Sequence, residues 1–188
     1  MKNLEPSCLK HHFLIAMPQM DDPNFAQSLI YLVDHSSQGA MGLVINHLSD
    51  FTLAEVLRQM DIEPGSAQLG QQPVLIGGPV QQERGFVLHE RQSDAASPYS
   101  STLAIPGGEL EMTTSKDVLE ALSHGAGPKK ILVTLGYSGW GAGQLEDEMS
   151  RNGWINVGAE PGIIFDTPVE QRYDKALSLL GIDANMLS

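Results

Sequence analysis

The segment LGYSGWGAGQLEDEM (135–149) sets four glycines, a serine, a tryptophan and three acids between a β-rich run and a helical pattern. Two chemistries use such material. A glycine-rich loop that opens a helix can cradle a phosphate on backbone N–H groups, and a serine on a tight strand-to-helix turn can act as a nucleophile. Neither pattern is complete here. Gly139 and Gly141 begin a G-x-G, but Gln144 stands where the third glycine belongs, and the chain contains no G-x-x-x-x-G-K-[ST]. Glu146, Asp147 and Glu148 then occupy the first turns of the helix, where they complement its dipole and repel a phosphate. In Gly136-Tyr137-Ser138-Gly139-Trp140 the tryptophan replaces the last glycine of a nucleophile elbow. With no histidine after His124, the order serine, acid, histidine has no final member. The expectation is a structural corner: glycines for backbone geometry, Trp140 packed inward, and Ser138 no nucleophile.

The histidines and the cysteine pass through the same test. His11 and His12 are neighbours in an apolar run, and adjacent strand residues point to opposite faces, so the pair does not grip one ion. His35, His47 and His89 fall at expected strand ends, without H-x-x-x-H or H-E-x-x-H spacing. Asp21-Asp22-Pro23-Asn24 lacks the glycine and terminal glutamate of a calcium loop. Cys8 is the only cysteine, which excludes an internal disulfide and a cysteine-based zinc site built from this chain alone. It sits beside Pro6 and Ser7 with no fixed cation to activate it. No catalytic residue, metal or cofactor is expected.

The bulk numbers narrow the class further. A chain of 188 residues with 41% hydrophobic content can bury one sizeable core, and one domain over 1–188 is expected, with residues 1–8 disordered. Lys plus Arg is 11 against 23 Asp plus Glu, a formal net charge of -12. The average field therefore repels polyphosphates and anionic membranes and disfavours a dedicated nucleic-acid binder. MKNLEPSCLKHHFLIAMP has no long apolar stretch behind a basic start, so a cytoplasmic, membrane-free protein is expected; separately, a monomer is expected.

These groups depend on the elements that position them. HHFLIAMP (11–18) reads as a strand stopped by Pro18, and Asp22-Pro23-Asn24 as a helix start. LIYLVDH (29–35) and AMGLVIN (40–46) read as a hairpin about residues 36–39. Thr52 and Glu55 form a capping box, with Phe51 stapled to Val56, and Leu53, Val56, Leu57 and Met60 follow helical spacing over 53–61. Residues 63–72 read as loop. PVLIGGPV (73–80) and RGFVLHE (84–90) read as a second strand pair bent at Gly77-Gly78-Pro79, and 92–101 as a polar, mobile surface loop.

STLAIP (101–106) and ELEMTT (109–114) predict a further hairpin at Gly107-Gly108. Thr114 with Asp117 predicts a capped helix ending before Gly125. KKILVTLGY (129–137) is apolar enough for a central strand buried on both faces. A helix over 143–151, strands at 154–157 and 163–165, and a helix opened by a second capping box at Thr167 and Glu170 complete the pattern. About nine strands and four or five helices, without regular βα alternation, give an α+β class.

Three stretches together, FLIAMPQMDDPNFAQSLIYLVDHSSQGAMGLVIN (13–46), IGGPVQQERGFVLHE (76–90) and LGYSGWGAGQLEDEMSRNGWI (135–155), resemble the AlgH/YqgE family of small bacterial cytoplasmic proteins. The resemblance runs from about Leu9 to Gly181 in the family's order. It implies an α+β fold whose mainly antiparallel sheet curls into a pseudo-barrel flanked by helices. It supplies no agreed catalytic residues, and the family name reflects a proposed role in transcriptional regulation. One departure is visible: family members commonly follow the asparagine of G-L-V-I-N with a basic residue and proline, whereas Asn46 here precedes His47-Leu48. The reading that results is a non-enzymatic binding or regulatory protein that meets another protein or a small ligand, with Asn46, Gly77, Gly78, Arg84, Trp140 and Gln144 as candidate contacts from loops beside strands. An enzyme acting on a small neutral or cationic substrate is the alternative. It requires a pocket with a perturbed acid or base.

Overall fold

The computed structural model describes residues 8–18, 22–23, 25–92 and 96–182. In chain order these form β1 (His12–Ala16), β2 (Leu29–Ser36), β3 (Gly39–Val44), β4 (Leu48–Thr52), α1 (Leu53–Gln59), α2 (Ala67–Gly70), β5 (Pro73–Ile76), β6 (Val80–Glu90), β7 (Thr102–Ile105) and β8 (Leu110–Thr113). There follow α3 (Asp117–Ser123), β9 (Ile131–Gly141), α4 (Gln144–Ser150), β10 (Trp154–Gly158), α5 (Pro161–Phe165) and α6 (Arg172–Ser178). The class is α+β, and the sheet curls into a half-barrel.

Strand β9 organises the sheet. Its first half lies between β6, antiparallel, and β5, the parallel neighbour, while its last residues pair with β3. The order β10-β1-β2-β3-β9-β6-β8-β7 extends on both sides, and β4 hangs on β5. The apolar run at 131–135 explains the central place. Leu132 enters one core cluster with Phe13, Tyr31, Leu88 and Leu177, and Val133 enters another with Leu53, Leu57, Val87 and Val118. Both faces of the strand are therefore covered. A third cluster gathers Leu14, Val44, Trp140, Leu145 and Trp154 under α4.

The capping box at α1 is present in both directions: Thr52 accepts from the Glu55 N–H, and the Glu55 carboxylate takes the Thr52 N–H. Both expected hairpins form. Other expectations are corrected. Segments 73–80 and 84–90 do not pair with each other; β5 and β6 lie on opposite sides of β9, because β9 arrives from far along the chain and inserts between them. Ile163 and Ile164 belong to α5, a one-turn helix opened by Pro161, and a short apolar run carries no period that separates helix from strand. Within 63–72, Ser66 caps α2 by accepting from the Leu69 N–H.

Two expected caps are absent. Lys116 stands at the N-cap of α3 without a side-chain bond, because Asp117 binds Ser100 and Ser115 instead. Thr167 donates to the Gly162 carbonyl, and a 3-10 turn at Val169–Gln171 leads into α6. The anticipated corner at 136–141 is instead part of a strand: β9 continues through Gly136, at φ +77, and Trp140 to Gly141, and the chain turns at Ala142-Gly143. The expected helix start at 22–24 is a turn on the Asp22 carbonyl, with Asn24 outside the described residues. Residues 1–7, and 93–95 of the polar loop, also lie outside them. No described helix is long and apolar enough to cross a membrane.

Candidate functional site

A groove of about 490 Å³ opens on the face of β6, β8 and β9 between α1 and α3, within the usual size of a small-molecule site. Val87, Val133, Leu135 and Leu119 supply apolar lining, and Phe51, Val56 and Met60 line the α1 side. The staple expected between Phe51 and Val56 thus borders an opening, and Phe51 remains 41% exposed.

A bulge shapes the polar end. Val80 pairs with Tyr137 and Gly85 with Leu135, so residues 81–84 bow out opposite Gly136. Gly136 has φ +77, and a Cβ there would stand 2.6 Å from the Gly78 carbonyl oxygen. Only glycine fits without displacing the backbone. The bulge presents Gln82, Glu83 and Arg84 to the groove, while Thr113, Thr114, Ser115 and Lys116 come from the end of β8. Arg84 is held at the rim by Gln81 Oε1 at 3.5 Å and by the Phe86 ring, whose centroid lies 5.7 Å from its guanidinium carbon.

Arg84 is the candidate residue that lines this groove; the other candidates stand elsewhere. Asn46 clips two strand ends, accepting from the Leu29 N–H and donating to the Gln27 carbonyl. Gly77 and Gly78 are pressed against β9: a Cβ at either would come within 2.4 Å or 2.2 Å of the Gly136 or Tyr137 carbonyl oxygen. The Gly77 carbonyl accepts from the Val44 N–H and from the buried Ser138 hydroxyl. Trp140 is buried as expected, and Gln144 joins it through Glu148. That carboxylate accepts from Trp140 Nε1, Trp154 Nε1 and Gln144 Nε2, while Gln144 Oε1 takes the Gly141 N–H. Phe25 closes the cluster, 6.2 Å from Trp140 and 5.7 Å from Trp154 between ring centroids.

Two buried histidines are fixed in defined tautomers. The Leu9 N–H donates to His35 Nδ1, so the ring proton sits on Nε2 and is donated to Glu146 at 2.6 Å. His89 lies near the end of β6, bonded to Thr113, which lines the groove. Its Nδ1–H goes to the Glu90 carbonyl, leaving Nε2 to accept from Thr113; Thr113 in turn accepts from Thr102, and Thr102 from Ser97. Burial lowers the His89 pKa, against smaller opposing effects of the Glu90 bond and the Glu111 charge. Arg172 is buried and donates to the Ile45 and Thr167 carbonyls, and desolvation lowers its pKa to about 10. No group of three or more His, Cys, Asp or Glu able to hold a metal occurs among the described residues.

The class these features define is an α+β half-barrel with an amphipathic groove on one sheet face. The chain belongs to the AlgH-like family, which it matches over residues 13–185. It is 56% identical to a UPF0301 protein of Acidovorax sp. (strain JS42), covering 97% of this chain and 94% of that one. It is 59% identical to one of Polaromonas sp., covering 96% and 92%. The solution structure of the AlgH protein from Pseudomonas aeruginosa superposes with a TM-score of 0.80 at 53% identity, covering 100% and 96%. A Corynebacterium diphtheriae protein shares the fold, with a TM-score of 0.70 at 20% identity over 94% and 88%.

Proposed function

We propose that the protein is a non-enzymatic binding protein, cytoplasmic and monomeric, whose groove between α1 and α3 takes a small ligand with an apolar body. The observation that supports this is the lining: apolar side chains from three strands and two helices, with hydroxyl and charged groups from the β6 bulge and the β8–α3 connection. Among the described lining residues none is histidine, cysteine or aspartate, and Glu83 is the acid. Glu83 is therefore the one carboxylate in the described lining that an enzymatic reading could use as acid or base. Any influence on transcription runs through ligand occupancy, because a net charge of -12 leaves few cations to displace counterions from DNA.

Gly85 provides the test. It lines the groove, and a Cβ built on it meets nothing within 4 Å. Gly85→Leu should therefore obstruct the groove while leaving the stability in urea within about 0.5 kcal/mol of the parent. The neutral dye Nile red should brighten on the native parent protein and lose most of that signal with Gly85→Leu. Equal dye binding by a folded Gly85→Leu variant would remove the groove from consideration.

A further inference from the structure

We infer that the groove selects an amphipathic anion, a small molecule with an apolar chain and a carboxylate or phosphate head, and that Arg84 and Lys116 read the head. This rests on the groove reading above and adds the chemistry of its ligand.

The placement follows from the elements that line the groove. Arg84 sits in the bulge of β6, and Lys116 stands at the N-cap of α3, just past the end of β8, the strand that pairs with β6. Two cations thus enter the lining from neighbouring segments, and Phe51, Val56 and Met60 supply apolar lining. Their setting runs against the composition. Acids outnumber bases 23 to 11 in the chain, yet this lining holds two bases and one acid. Neither Arg84 nor Lys116 forms a salt bridge with a carboxylate among the described residues, whereas Lys10, Lys130 and Arg151 each do. Asp117, next to Lys116, is committed elsewhere: Oδ2 accepts from the Ser100 N–H and hydroxyl, and Oδ1 from Ser115.

Charge and shape agree on the occupant. An anionic head beside Arg84 and Lys116 gains charge-assisted hydrogen bonds, and the chain displaces water from Val87, Val133 and Leu119. A second copy of the protein is a poorer fit. It brings another net charge of -12, and a stable dimer needs a face of about 800 Å² per partner rather than a slot.

Titration with decanoate, decyl phosphate, decanol and decyltrimethylammonium, each below its micelle concentration and read by Nile red displacement, tests the inference. Decanoate or decyl phosphate should bind at least about tenfold more tightly than decanol, and the cation most weakly. The order of the two acids identifies the head. Arg84→Gln with Lys116→Gln should lower the affinity for the preferred acid by about tenfold or more and leave decanol unchanged. Decanol binding as well as both acids would overturn the anion assignment while leaving the groove reading intact. Acids that still bind best after both cations are removed would overturn the roles of Arg84 and Lys116. An acidic, apolar peptide that outcompetes every small amphiphile would give the site to a protein partner. Failure of all four amphiphiles to displace dye that Gly85→Leu excludes would also overturn it.

Discussion

Glu148 shows how a single side chain ties two strands and a helix together. Two indole N–H groups, from Trp140 and Trp154, reach the same carboxylate oxygen, and both rings are at least nine-tenths buried. Water has little access to replace that acceptor. A ranking follows from what each group loses. Trp140→Ala removes a packed aromatic and should cost roughly 3–5 kcal/mol. Glu148→Ala leaves two buried donors without an acceptor and should cost about 2–3 kcal/mol. Ser138→Ala loses one buried hydroxyl bond, and because the Gly77 carbonyl keeps the Val44 N–H the cost should be about 1 kcal/mol. Urea midpoints rank the three; a Glu148→Ala variant as stable as the parent would show that the indoles find another partner. The inward tryptophan was legible in its glycine-rich apolar setting. Its acceptor was not, because the identity of Glu148 depends on α4 landing against both β9 and β10, contacts that no local spacing encodes.

At the scale of elements, the bulge in β6 decides where the groove has its polar end. Residues 81–84 cannot lie flat against β9, since Gly136 offers them a single position. Gly136→Ala combines a left-handed φ of +77 with a Cβ 2.6 Å from the Gly78 oxygen and 3.0 Å from the Val80 oxygen. It should cost more than the roughly 1–3 kcal/mol of backbone strain alone and weaken ligand binding through Arg84. Gly143→Ala is the control. It has φ +75 but open space around the Cβ, so it should incur only the strain. Equal losses from the two substitutions would show that the bulge is not held by this contact. Sequence reasoning found most elements because capping, turn residues and apolar period are local signals. It paired β5 with β6 wrongly, since the strand that separates them lies far downstream, and chain proximity favours pairing consecutive strands. The groove was missed for the same reason. Of its members only Arg84 was a candidate, although Lys116, the only lysine or arginine between Arg91 and Lys129, offered a signal.

Across the whole molecule, fully and partly buried histidines tie stability to pH. Burial lowers the pKa of His89; His11 is lowered by burial and then by the nearby charge of His12; His47 is lowered by burial. Their ordinary value is 6.5, so between that value and the depressed folded values the unfolded chain binds more protons than the native one. Stability therefore rises with pH through this window. It is fully present above about pH 7 and declines as pH falls below about 6.5 through the folded pKa values. His89 is the position to probe, because its neutral form has a specific structural role. Nε2 must stay unprotonated to accept from Thr113, at the end of the hydroxyl chain through Thr102. His89→Gln removes that titration whatever it does to absolute stability. Urea midpoints measured at about pH 7.5, 6.5 and 5.5 should fall with acidification in the parent and fall less steeply in His89→Gln. The same slope in both would mean that the His89 imidazole takes up its proton in the folded state as readily as in the unfolded chain, and the hydroxyl chain would not hold it neutral.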